Sequence, residues 1–145
     1  MKYLQNLMLI LIFISFQSCT PKPEPIAFGT DHCVYCKMGI VDPKYGGELV
    51  TEKARVFKFD AVECMLPFMK ENPDQKYAYI LVLSYDDPAE LHNVEELVFV
   101  QSEKYKSPMG GNIAAFLSQE NTMTDDGLVM TWPELKKELK SVPIN

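Results

Sequence analysis

Glu48-Leu49-Val50-Thr51, Ala54-Arg55-Val56-Phe57-Lys58-Phe59 and Asp60-Ala61-Val62-Glu63 follow one another almost without a break, and their reading decides the fold. The first two segments are rich in β-branched and aromatic residues and read as two strands joined at Glu52-Lys53. Phe57 and Phe59 share one face by the two-residue period. Asp60 with Glu63 three positions on has capping-box spacing, and Val62, Met65, Leu66 and Met69 then recur as one helical stripe. Pro67 weakens the helix interior and predicts a kink or a short helix, closed by Asn72-Pro73-Asp74. Cys64 lies off the stripe on the side of Phe68, where it can face a site or a second apolar neighbour. Tyr77-Ala78-Tyr79-Ile80-Leu81-Val82-Leu83 is nearly all apolar and predicts a central strand.

Downstream, residues 84–90 form a polar loop, and Leu97-Val98-Phe99-Val100 reads as a second buried strand. Residues 105–111 turn; residues 113–116 fit a short helix or a strand equally. Asp125-Asp126-Gly127 turns into Leu128-Val129-Met130. Thr131 with Glu134 repeats the capping-box spacing with Pro133 in the first turn, and Leu135, Leu139 and Val142 give a last helix its stripe. Tyr45-Gly46-Gly47 and Met109-Gly110-Gly111 each precede apolar residues, which suggests a duplicated β-rich unit with one helix, spanning 29–86 and 87–145. A single undivided α+β domain is the alternative. Upstream, Gly39-Ile40-Val41 reads as a short strand before the turn at 42–47.

The first residues stand apart from this fold. Lys2 precedes the apolar run Leu7-Met8-Leu9-Ile10-Leu11-Ile12-Phe13-Ile14, too short to span a bilayer, and Phe16-Gln17-Ser18-Cys19 resembles a bacterial lipoprotein box. Residues 1–18 are then a signal peptide, Cys19 carries the lipid, and the proline-rich 19–28 is a flexible tether to a folded domain at 29–145. The expected location is the bacterial cell envelope, facing the periplasm. With 145 residues, a net charge of −6 and no basic patch, the chain suits one compact domain and excludes nucleic acid as a partner.

Chemistry concentrates in Asp31-His32-Cys33-Val34-Tyr35-Cys36-Lys37-Met38-Gly39. Cys33, Cys36 and Met38 form a C-x-x-C-x-M run with His32 adjoining. Thiolate and thioether are soft donors that select Cu(I), zinc or iron–sulfur over hard cations. Thioether is not a usual zinc ligand, so Met38 tilts the reading toward Cu(I). The same residues also read as a disulfide, or as small hydrophobes with Met38 filling a core gap. If Cys19 is acylated, Cys33, Cys36 and Cys64 remain, and an odd count leaves one thiol unpaired for a metal to protect. Met109 sits on a turn between Pro108 and two glycines, where its sulfur has no core to fill. His92, in an acidic loop, reads as an ordinary surface residue. Three functions compete: a Cu(I) metallochaperone that is not an enzyme, a thiol–disulfide oxidoreductase using Cys33 and Cys36, and a structural zinc module using Cys33, Cys36, Cys64 and His32.

The Asp31-x-Cys33-x-x-Cys36-x-Met38-Gly39-Ile40 run, the Phe59-Asp60 helix start and the Pro108-Met109-Gly110 turn resemble the NosL family, over residues 31 to 139 or so. These are lipid-anchored, copper-binding accessory proteins of nitrous-oxide reductase maturation in denitrification. The resemblance implies two small ββαβ units and delivery of Cu(I) to a recipient such as nitrous-oxide reductase or its maturation machinery. By position Cys36, Met38 and Met109 match best as ligands, Cys33 is a fourth, and Cys64 and His32 follow. This chain departs from the family at Cys36-Lys37-Met38, where Cys-Gly-Met is commoner. It also lacks a tryptophan near His92, and its second-half helix is short.

Overall fold

The structure is a computed structural model that describes residues 20–122 and 126–141. The expectations for residues 1–18, Cys19, Asp125, the Leu139 side chain and Val142 lie outside the described residues. The fold is α+β with every strand pairing antiparallel, as expected. The first unit runs β1 (Gly47–Thr51), β2 (Val56–Phe59), α1 (Val62–Glu71), β3 (Tyr77–Leu83) and β4 (Leu91–Asn93), in sheet order β2-β1-β3-β4. The second runs β5 (Val98–Gln101), β6 (Ile113–Phe116), β7 (Leu128–Met130) and α2 (Trp132–Ser141), in order β6-β5-β7.

The duplication is visible in strand order. In each unit the opening strand is central, the second pairs on one side and the third on the other. The helices differ. α1 lies between the second and third strands, whereas the described residues between β6 and β7 hold a 3₁₀ turn at Gln119–Asn121, and α2 follows β7. The polar Ser118-Gln119-Glu120-Asn121 run has no apolar stripe to bury, so a helix there gains nothing from packing.

Local chemistry explains the turns. Thr51 closes the β1–β2 hairpin, since its N–H reaches the Arg55 carbonyl at 2.9 Å and its Oγ1 accepts from Arg55 N at 3.0 Å. Phe57 and Phe59 both stack on Phe68 of α1, with ring centroids 4.9 and 5.2 Å away, which seats the helix on the sheet. Pro67 is buried inside an α1 that runs its full ten residues. At the start of α2 Glu134 accepts from both Thr131 N and Thr131 Oγ1 at 2.7 Å, the contact its spacing predicts. One apolar cluster joins the units: Leu49, Phe59, Met65 and Val82 from the first, and Phe99, Ile113, Met130 and Trp132 from the second.

Three expectations need correction. Asp60 does not cap α1; the N-cap is Ala61 with no side-chain bond, and Asp60 is turned inward and buried. Gly39-Ile40-Val41 is not a strand; only a single bridge pairs Gly39 with His32, and Ile40 plugs the core instead. His92 is not on a loop but on β4, opposite Val82, half-buried and 3.3 Å from Asp87 Oδ2.

Candidate metal centre

The thiol segment is a loop closed by its own backbone. Gly29 N–H donates to the Ile40 carbonyl, Ile40 N–H to Asp31, and Cys33 N–H to Met38 at 2.8 Å. Inside that frame Lys37 N–H donates to the Cys33 carbonyl at 3.0 Å, and Lys37 itself has φ +66°. A left-handed residue with a bond back four positions is the usual way to end one helical turn. The turn brings Cys33 and Cys36 to the same side. Its left-handed position is one that glycine, with no Cβ to clash, would adopt more readily than lysine.

Three hydrogen bonds fix where this loop docks. Val34 N–H donates to the Lys58 carbonyl at 2.9 Å, and Lys58 Nζ reaches Asp31 Oδ2 at 2.8 Å. Tyr35 Oη donates to Glu71 at 3.1 Å. The loop therefore lies along the end of β2 and against α1. Upstream, Glu24 N–H donates to Glu48 Oε1 and Lys58 Nζ donates to the Pro25 carbonyl, both at 2.9 Å, so the chain is held to the first sheet from Glu24 onward.

That docking sets Cys33 and Cys36 against Cys64, in the first turn of α1. The three Sγ atoms all lie within 4.8 Å of one another, and none is in a disulfide. Cys33 is 1 % and Cys64 0 % exposed, while Cys36 is half-buried. The trio shares its protons unevenly. Cys33 is brought down to about 5, chiefly because the Cys64 S–H donates to it, with backbone hydrogen bonds from Asp60, Cys36 and Tyr35 adding to the effect. Cys64 is pushed up because losing that proton would break the bond to Cys33, and burial pushes it further. Burial raises Cys36 as well. The negative charge is thus favoured on Cys33 and the protons on Cys36 and Cys64. Burial also raises Asp60, beside Cys33, and Glu63, beside Cys64.

The remaining candidates are Met38, Met109 and His32. Met38 is 55 % exposed, and its carbonyl receives the Cys33 N–H. Met109 is 40 % exposed, on the turn that follows Ser107. Ser107 donates from Oγ to Glu63, the neighbour of Cys64, which ties that turn to the start of α1. His32 is exposed on the bridge with Gly39 and stands outside the trio. Among the described residues, no second group of three or more His, Cys, Asp and Glu donors converges in this way. Cys64, which the sequence ranked behind Met38 and Met109, is the thiol that completes the cluster; the signal for it was its place off the helix stripe.

The sequence profile of the NosL family matches residues 25–139. Among solved structures, the copper chaperone NosL from Shewanella denitrificans is similar in fold, with a TM-score of 0.66 and 19 % identity. The match covers 79 % of this chain and 96 % of that one. No curated protein matches the sequence.

Proposed function

The chain belongs to the NosL family, and from that premise we propose that it is an envelope lipoprotein that takes up Cu(I) and hands it to a copper-dependent partner. Nitrous-oxide reductase, or the machinery that matures it, is the recipient that family membership favours. The role is carriage and not catalysis. The observation that carries this reading is the convergence of Cys33, Cys36 and Cys64 within 4.8 Å. Three sulfurs in a largely buried pocket suit a soft monovalent ion. Zinc prefers a closed set of four, and no His, Asp or Glu joins the trio among the described residues. A thiol–disulfide catalyst needs its ionised thiol exposed to attack a substrate. Here the order is reversed: the low-pKa Cys33 is buried, and the accessible Cys36 is raised.

In this reading Cys33 and Cys64 are inner donors and Cys36 the outer one. The exposed thioethers of Met38 and Met109 flank the exit, where ligand exchange passes the ion to the partner. A lipid on Cys19 would place the site close to a membrane, with residues 20–23 as the short span before Glu24 meets the sheet.

The test is an anaerobic Cu(I) titration against a competing chelator. One ion per chain is expected, with weaker binding in Cys36→Ser, Cys64→Ser and Met109→Ala. Unchanged affinity in both cysteine variants would overturn the assignment. Labelled palmitate supplied to expressing cells should enter the wild type and not Cys19→Ala.

A further inference from the structure

Glu63 is a half-buried acid with no role in the donor set, and its carboxylate is turned inward. One carboxylate oxygen accepts from Ser107 Oγ, while the other, Oε2, is buried without a hydrogen-bond partner. Gly111 packs so closely on the Glu63 side chain that a Cβ there would fall 2.7 Å from Cγ and 2.8 Å from Oε1. Ser107 and Gly111 thus both meet this one side chain.

The Ser107 hydroxyl has two tasks. It donates to Glu63 and accepts the Asn112 N–H at 2.9 Å, which closes the loop over six residues. Within it Gly110 N–H donates to the Ser107 carbonyl at 3.0 Å, a β-turn with Met109 at its third position. Gly110 and Asn112 both have positive φ, +76° and +56°. The loop is tied back to its own hairpin by Ser102 N–H on the Asn112 carbonyl at 3.0 Å, Gln101 Nε2 on the Gly111 carbonyl at 3.0 Å and Asn112 Nδ2 on Glu103 Oε1 at 2.9 Å, so a separate contact sets how its crest sits against α1. That contact is made by Glu63, the residue next to Cys64.

We propose that Glu63 is a positioning residue: through Ser107 it holds the Met109 turn at the helix end that carries Cys64, so that thioether and thiol serve one Cu(I) ion. This deepens the copper-carrier reading and rests on it. The geometry needs an acceptor oxygen at this place and no charge, so Gln should serve and Ala should not.

A double-mutant cycle in Cu(I) affinity tests this with Glu63→Ala, Ser107→Ala, Glu63→Gln and Met109→Ala, on full-length protein whose folding is checked by circular dichroism. Glu63→Ala and Ser107→Ala should each weaken Cu(I) binding by about tenfold in the wild-type background and by less than about twofold once Met109 is Ala, because coupled residues are not additive. Glu63→Gln should bind as the wild type. Weakening by Glu63→Ala that persists in the Met109→Ala background would mean that Glu63 acts through Cys64 or the fold at large, and would overturn the proposal. If Glu63→Ala fails to fold, Ser107→Ala alone completes the cycle and decides it. A Met109→Ala protein of unchanged affinity would remove the thioether from the site and this inference with it, while weaker binding in Cys36→Ser would leave the copper-carrier reading standing.

Discussion

Single residues set the chemistry. Because Cys33 lies near 5, against an ordinary 9.0, it is already a thiolate at pH 7 and gives up no proton when an ion binds. Cys36 and Cys64 are both raised, so each must lose a proton to coordinate. Cu(I) binding near pH 7 should therefore release about two protons per ion, and affinity should climb as pH rises. Below pH 5 Cys33 protonates as well and the dependence steepens. Titration in buffers of different ionisation enthalpy counts the protons, and a count of zero would mean that neither Cys36 nor Cys64 coordinates. Lys37 gives a second prediction at this scale. A non-glycine residue at φ +66° carries about 1 kcal/mol of strain, partly offset in a glycine variant by the larger entropy of its unfolded chain. Lys37→Gly should raise the urea midpoint slightly and leave Cu(I) stoichiometry unchanged. The proximity of Cys33 and Cys36 was legible in sequence because the two are near neighbours in the chain. Cys64 was only half legible, since helical spacing shows which face a residue is on and not what crosses that face.

At the level of elements, the thiol loop has little regular structure and is held by its attachments. The Lys58 ammonium beside Asp31 holds that carboxyl below its ordinary range, with the Ala27 N–H as the next cause. A depressed carboxylate stabilises the fold above its unfolded value of 3.8, and the contribution is lost as pH falls through the lower folded value. Asp31→Ala should therefore lower the melting temperature at pH 7, and the gap from wild type should close well below pH 3.8. Scanning calorimetry at the two pH values reads it, and a gap that stays constant would show that the ion pair contributes nothing. The strands β1, β2, β3 and β5 were legible from composition. The start of α1 was not. Asp60 and Glu63 have the spacing of a cap, yet burial beside the thiols and the docking of the 107–112 loop draw both carboxylates elsewhere. β4 was missed because a three-residue Leu91-His92-Asn93 strand carries no periodicity to read.

Across the whole molecule, the question is whether two repeated units behave as one. Strand order says repeat, but the core says union: Cys33 and Cys64 belong to the same buried cluster as Phe99, Met130 and Trp132. A ligand that binds only the folded state stabilises whatever unfolds cooperatively with its site, by about 2.7 kcal/mol at a hundredfold excess over Kd. Trp132 is the chain's single tryptophan, 1 % exposed and stacked 5.6 Å from Phe99 in the second unit, whereas the thiols lie in the first. Its fluorescence thus reports unfolding of the half that holds none of the three thiols. With Cu(I) present, the urea midpoint seen by Trp132 should shift upward together with that seen by far-ultraviolet circular dichroism. A tryptophan midpoint that stays put while the other moves would mean that the shared core does not couple the units. The copper site would then report only on the sheet and helix that carry it.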